Sequence, residues 1–105
     1  MAGTPLQPRK KTKTIPYDVA AQLRTSEEMA EYLDGWLAEA PEDVAGIARA
    51  LGDIARAKGM SKVAREAGLS RESLYKALSE DGNPSLATVL KVAKALGLRL
   101  HARAA

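Results

Sequence analysis

The stretch that decides the fold runs from Met60 to Ser79, "MSKVAREAGLSRESLYKALS". It has a small residue at Ala64, a glycine four residues later at Gly68, and leucines at Leu74 and Leu78. Two helices that cross steeply at a tight turn need a small side chain where their backbones approach and a turn residue that accepts positive φ. The leucines, four residues apart, would bury the second helix against the first. The stretch therefore predicts two short helices joined at Gly68.

The polar side chains of the second helix are left to face outward. In a helix-turn-helix the first turn of this helix enters the major groove of DNA, where side chains reach base edges. Arg71 has the chemistry to bond a guanine in bidentate fashion. Free N–H groups near Ser61 and Lys62, at the start of the first helix, are suited to binding a phosphate of the DNA backbone. The predicted DNA-binding residues are Ser61, Lys62, Ser70, Arg71, Glu72, Ser73, Tyr75, Lys76 and Asn83.

Composition favours helices throughout the chain. The 105 residues fit one domain. Apolar residues make up 46% of the sequence, but with no Phe, three Tyr and one Trp the core must be built from Ala, Leu and Val. Ala and Leu are good helix formers, whereas strands prefer β-branched and aromatic residues. We predict an all-α domain of four to five helices.

Helical patterns flank the motif on both sides. "TSEEMAEYLDGWLAEA" begins with a capping box of Thr25 and Glu28, and "DVAAQL" before it predicts a short helix. "PEDVAGIARALGDIARAKG" predicts a helix with Pro41 in its first turn. "SLATVLKVAKALG" predicts a last helix, capped by Ser85 and ended by Gly97, with one apolar face formed by Leu86, Val89, Leu90, Ala93 and Leu96.

The closing "LRLHARAA" alternates apolar and basic residues. It is too short for a stable strand alone, but a strand from a second copy would pair with it. A short C-terminal strand therefore stays open, and the last helix with this segment is the predicted dimer surface.

Charge divides the chain into three parts. Residues 1–16 carry four bases and no acid, residues 17–57 three bases and nine acids, and residues 58–105 nine bases and four acids. Such asymmetry is typical of proteins with two different partners, although solvated helix surfaces also explain any single cluster. Residues 1–16, rich in proline, predict a flexible basic arm that either contacts DNA or only solubilises the chain. The helical domain would then span 17–105, with the helix-turn-helix at 60–78.

The run "ALGDIARAKGMSKVAREAGLSRESLYKALSEDGNPSLATVLKVAKALGLRL" resembles the addiction-module antidote proteins, lambda-repressor-like helix-turn-helix antitoxins related to the HigA type. The similarity extends back through "YDVAAQLRTSEEMAEYLDGWLAEA" and covers Tyr17 to Leu100. The resemblance implies a lambda-repressor-like domain with an extra N-terminal helix. It also implies an antitoxin that neutralises a small RelE/ParE-like toxin and represses its own operon. Lys62 stands where many repressors carry glutamine, so a glutamine-type phosphate contact is not expected there.

The acidic first half is consistent with this interpretation, because an inhibitor of an RNA-cleaving or ribosome-binding toxin must cover a basic surface. Apolar side chains among the acids would anchor such a contact. Alternatively, these side chains simply pack on the domain core. The predicted toxin-binding residues are Tyr17, Leu23, Met29, Tyr32, Leu33 and Trp36.

Nothing in the sequence indicates a catalytic, cofactor or metal site. There is no cysteine, and the single histidine, His101, stands near the C-terminus beside arginines. The carboxylates fall at helix-surface spacings beside Lys or Arg, which is typical of solvated pairs. No apolar run approaches the roughly 20 residues of a membrane span. We predict a cytoplasmic, non-enzymatic homodimer that binds an inverted-repeat operator and a small basic toxin.

Two other functions stay open. The first alternative is a stand-alone helix-turn-helix transcription regulator without a toxin partner. The second is a helical interaction module that no longer binds DNA. A steep salt dependence of DNA binding separates the antitoxin and the stand-alone regulator from the interaction module, because phosphate contacts release counterions.

Overall fold

The computed structural model describes residues 23–79 and 81–105. Within them the chain forms five helices and no strand, so the predicted all-α class is confirmed and the closing segment contains no strand. The arrangement is compatible with a small helix-turn-helix domain. The basic arm at 1–16, Tyr17 and the helix predicted in "DVAAQL", except for its last residue Leu23, lie outside the described residues. The helices are α1 (Ser26–Glu39), α2 (Val44–Lys58), α3 (Met60–Ala67), α4 (Arg71–Ala77) and α5 (Leu86–Ala95).

Helix α1 begins with the predicted capping box. The Glu28 N–H donates to Thr25 Oγ1 at 3.1 Å, and Glu28 Oε1 accepts in return from the Thr25 N–H at 3.1 Å. The same carboxylate oxygen accepts from the Arg24 N–H at 2.8 Å. The bond from Arg24 is the main cause of the lowered pKa of Glu28. Local hydrogen bonds thus fix where the acidic helix starts.

Helix α2 begins later than the sequence predicts. Pro41 and Glu42 form a turn ahead of it, and Val44 is its first residue. Because the carboxylate of Asp43 accepts from the Gly46 N–H at 2.8 Å, Asp43 becomes the N-cap and the proline is left outside the helix. At the other end Gly59, with φ of 113°, separates α2 from α3 without a connecting loop.

The core is built around α2 and α3. Helix α1 packs on α2, α2 packs on α3, and α3 packs in turn on α4 and α5. Alanines at the contacts, such as Ala50, Ala55 and Ala64, let the helices approach closely. The largest fully buried side chains are Leu23, Leu51, Ile54, Val63, Leu74, Val92 and Leu96.

The apolar face of α5 differs from the predicted one. Ser85 caps the helix by accepting from the Thr88 N–H, and Gly97, with φ of 78°, follows its end, as predicted. Val92, Ala93 and Leu96 are buried and Val89 is partly buried, but Leu86 is 71% and Leu90 50% exposed. The stripe that contacts α3 is centred on Val92 and Leu96, so these two leucines lie beyond its edge. The predicted face is therefore only partly buried.

A buried polar contact ties α1 to α2. Asp53 is buried; its Oδ2 accepts from Tyr32 Oη at 2.8 Å, and its Oδ1 accepts from Arg56 Nη2 at 2.9 Å. Burial, followed by the charge of Asp53, raises the pKa of Tyr32. Next to it the buried Trp36 ring lies close to Gly46, and the Arg49 guanidinium stacks 5.8 Å from the ring centre. These contacts fix which side of α1 faces outward.

Candidate nucleic-acid interface

The turn between α3 and α4 has the predicted geometry. Gly68 adopts the left-handed conformation, with φ of 74° and ψ of 30°. The Leu69 N–H then donates to the Ala64 carbonyl at 2.9 Å, and the Gly68 N–H donates to the Ala64 and Arg65 carbonyls. Ala64 itself is only 3% exposed. The small residue and the glycine therefore sit where two closely crossing helices require them.

The inward face of α4 consists of the two predicted leucines. Leu74 and Leu78 are fully buried, and Val63 and Ala67 of α3 are buried with them in the same cluster. Two helices of eight and seven residues are thus locked together by a few small and branched side chains. The arrangement leaves the opposite face of α4 uncovered by any described part of the chain.

All nine predicted DNA-binding side chains are exposed. Those on α3 and α4 belong to the first turn of α3 or to the outer face and N-cap of α4, whereas Asn83 lies in the segment that leads to α5. Each of them is accessible to a partner, and the contact with DNA stays a prediction.

Ser70 and Ser73 have a structural role that the sequence analysis missed. Ser70 is the N-cap of α4, and its Oγ accepts from the Ser73 N–H at 2.9 Å. The Ser70 hydroxyl also donates to Ser73 Oγ at 2.9 Å. The sequence did contain a signal for this cap: Ser70 stands two residues after the turn glycine and three residues before another serine.

Arg71 is paired with Tyr75 on the outer face of α4. The guanidinium carbon lies 5.5 Å from the ring centre of Tyr75, and Arg71 Nη2 stands 3.5 Å from Tyr75 Oη. Residues four apart are neighbours on a helix surface, so the spacing alone predicts that they can meet. The stack holds the Arg71 guanidinium against α4, and sequence analysis treated the two residues separately.

The first turn of α3 has backbone N–H groups without an intrahelical partner. The helix begins at Met60, one residue before the expected Ser61, and its N-cap Gly59 has no side chain to cap it. The first intrahelical bond runs from the Val63 N–H to the Gly59 carbonyl. Lys62 is exposed beside this turn. Free N–H groups with a neighbouring cation are the usual features of a phosphate contact at a helix N-terminus.

The described residues of the predicted toxin-binding set lie inside the domain. Met29, Tyr32, Leu33 and Trp36 of α1, and Leu23 just ahead of it, are all buried in the core cluster. These five side chains thus pack on the domain core, which is the alternative that the sequence left open. The exposed surface of α1 is acidic instead, since the helix contains five acids and no base.

Other kinds of site find little support in the described part of the chain. Residues 23–79 and 81–105 contain no group of three or more His, Cys, Asp or Glu side chains arranged to hold a metal ion. None of the five helices there has the length and apolarity needed to cross a membrane.

Comparison with known proteins shows which family the chain belongs to. A protein of Haemophilus influenzae (strain Rd) that is described only as uncharacterised is 54% identical over 85 residues, which cover 81% of this chain and 86% of that protein. No solved structure matches the chain significantly. The family model described as "Probable addiction module antidote protein" matches residues 13–104. The chain therefore belongs to the family of probable addiction module antidote proteins.

Proposed function

We propose that this protein is the antitoxin of a type II toxin-antitoxin module. It neutralises a small basic toxin of the RelE/ParE type and represses its own operon by binding operator DNA. The observation that carries the proposal is the helix-turn-helix of α3 and α4, whose outer face is exposed, in a chain that belongs to an antidote family. The proposed action is non-enzymatic and takes place in the cytoplasm.

Charge supports the assignment of α3 and α4 to DNA. Residues 58–105 carry nine bases and four acids, and Lys62, Arg71 and Lys76 are exposed on the motif itself. Cations attract the phosphate backbone regardless of sequence, whereas base edges are read by hydrogen bonds in the groove. Arg71, stacked on Tyr75, is the proposed base-reading residue, and Lys76 is the proposed phosphate contact.

We further propose that the DNA-binding form is a homodimer on an inverted repeat. One motif this small presents a single seven-residue recognition helix, which reads only a few base pairs. Two copies related by a two-fold axis would place their recognition helices about 34 Å apart, one turn of DNA. The operator should therefore contain two inverted half-sites with that spacing.

DNA titrations of two variants test the proposed roles. With DNA from upstream of the gene, Arg71→Ala should reduce discrimination between operator and random sequence by about 1 to 3 kcal/mol, because a bidentate base contact is lost. Lys76→Ala should weaken binding to both DNAs alike and reduce the salt slope by about 1. Fluorescence anisotropy at several salt concentrations measures both quantities.

The result for Arg71→Ala decides the assignment. Equal losses on operator and random DNA would show that Arg71 contacts phosphate rather than a base. A wild-type chain that binds no DNA from its own upstream region, even at low salt, would contradict the repressor function. Circular dichroism of each variant checks that the helices are intact, which is expected because both side chains are exposed.

A further inference from the structure

A groove of about 410 Å³ lies between α1 and the segment that follows α5. One wall is the exposed edge of α1, and the other is formed by Leu98 to Leu100, His101 and Arg103. Its apolar part includes Leu37 and Leu100, each 39% exposed, so two large apolar side chains are offered to solvent at one place. Both are therefore only partly covered by the described residues.

The α1 wall carries a row of carboxylates. Glu27, Glu31 and Asp34 line the groove at spacings of four and three residues, which places them along roughly 10 Å of one helix edge. Glu28 is already used in the capping box, but these three acids form no ion pair or hydrogen bond with any described residue. Helix α1 contains no base that would neutralise them.

The opposite wall of the groove is positively charged. Arg99 and Arg103 face the groove from the C-terminal segment. Among the described residues, nothing beyond Leu98 makes a hydrogen bond or ion pair. The groove is therefore an apolar channel with an anionic edge on α1 and a cationic edge on a segment whose last hydrogen bond runs from the Leu98 N–H to the Ala93 carbonyl.

We infer that this groove is the docking site for the toxin, and that its occupant is an amphipathic segment with a large apolar side chain flanked by lysines or arginines. The inference rests on the proposed antitoxin function. The apolar side chain covers Leu37 and Leu100, and the basic residues pair with Glu27, Glu31 and Asp34. Opposite charges across such an interface give specificity and fast association. The anchors are thus exposed groove residues, and the buried side chains of α1 only support the helix.

The site is separate from the DNA-reading face. Helix α1 packs on α2, whereas α4 packs on α3, and the groove shares no lining residue with the predicted DNA-binding set. The exposed charges also differ, because α1 carries only acids whereas α3 and α4 each carry two bases and one acid. A toxin segment in the groove therefore contacts neither Arg71 nor Lys76.

Charge reversal at Glu31, with a matched change on the same helix, tests the inference. The probe is the purified protein encoded by the adjacent small reading frame, titrated against the full-length chain at low and high salt. Glu31→Lys should weaken the complex by about tenfold at low salt and less at high salt. Glu39→Lys makes the same charge change on α1 outside the groove and should cost less than about twofold. Leu100→Ser should weaken the complex at both salt concentrations.

The controls distinguish a toxin from other possible occupants of the groove. Equal losses for Glu31→Lys and Glu39→Lys would overturn the groove and leave only a diffuse charge effect. A change in the molar mass of the chain alone in Glu31→Lys would assign the groove to a second copy of this chain and overturn the toxin assignment. Failure of the wild-type chain to bind this protein at all would contradict the antitoxin function itself, and the assigned occupant with it.

Discussion

Replacing Tyr32 by phenylalanine tests the attachment of the acidic helix to the rest of the domain. The change removes one hydroxyl and keeps the ring, so the packing of α1 on α2 is preserved. Asp53 loses the donor that lies 2.8 Å from its Oδ2 and keeps only Arg56 at 2.9 Å. A hydrogen bond to a charged group contributes about 1.5 to 3 kcal/mol, and Asp53 is too buried for water to replace it easily. We expect the free energy of unfolding to fall by about that amount.

The pH dependence gives the same contact a second signature. The pKa of Tyr32 is raised in the folded chain. The stabilisation that the protonated Tyr32 hydroxyl provides is therefore complete below about pH 10, the pKa of tyrosine in the unfolded chain, and is lost as the pH rises above that value. Wild-type stability should therefore fall by about 1.4 kcal/mol per pH unit relative to Tyr32→Phe in that range. The difference between the two proteins shrinks above pH 10.

Urea denaturation followed by circular dichroism, at pH 7 and between pH 9.5 and 11, measures both effects. Tyr75→Phe is the matched control, because its hydroxyl is exposed and stands 3.5 Å from Arg71 Nη2; it should change stability by less than about 0.5 kcal/mol. A loss in Tyr32→Phe no larger than that of Tyr75→Phe would refute the role of the Tyr32–Asp53 bond. So would a difference from wild type that stays constant through pH 11.

Two further predictions concern the turn and the last helix. Gly68→Ala should destabilise the domain by about 1 to 2 kcal/mol through backbone strain alone, since φ is 74° and an added Cβ meets no atom within 4 Å; Gly68→Asn should cost less. An alanine variant as stable as wild type in thermal unfolding would contradict the left-handed turn. Ser85→Ala should cost about 1 kcal/mol and Ser85→Gly only a few tenths, because Ser85 Oγ caps the Thr88 N–H. Equal losses in urea denaturation would indicate that the cap is not formed.

The features that local sequence determines were predictable. The capping box of Thr25 and Glu28, the cap at Ser85 and the turn at Gly68 each depend on residues within four positions of one another. The pairing of Ala64 with this turn follows from the same short stretch. Signals of this kind identify the helices and the turn between α3 and α4 without any knowledge of distant contacts.

What the sequence did not reveal depends on which surfaces meet. Periodicity shows that α1 and α5 each have an apolar face, but not what covers it. Buried side chains such as Trp36 were therefore candidate anchors, and the exposed Leu86 and Leu90 were placed on the same face as the buried Leu96. The Tyr32–Asp53 bond joins residues 21 positions apart. The groove joins α1 to the C-terminal segment at the other end of the chain. Only the packed helices bring these groups together.

Co-expression with the protein encoded by the adjacent small reading frame tests the antitoxin function most directly. The neighbour is induced alone and together with this chain, and growth rate is scored alongside co-purification at high salt. We predict that the neighbour alone arrests growth, and that co-expression restores it and yields a stable complex. Growth arrest that this chain does not relieve, with no complex recovered, would contradict the antitoxin function and leave a stand-alone DNA-binding regulator.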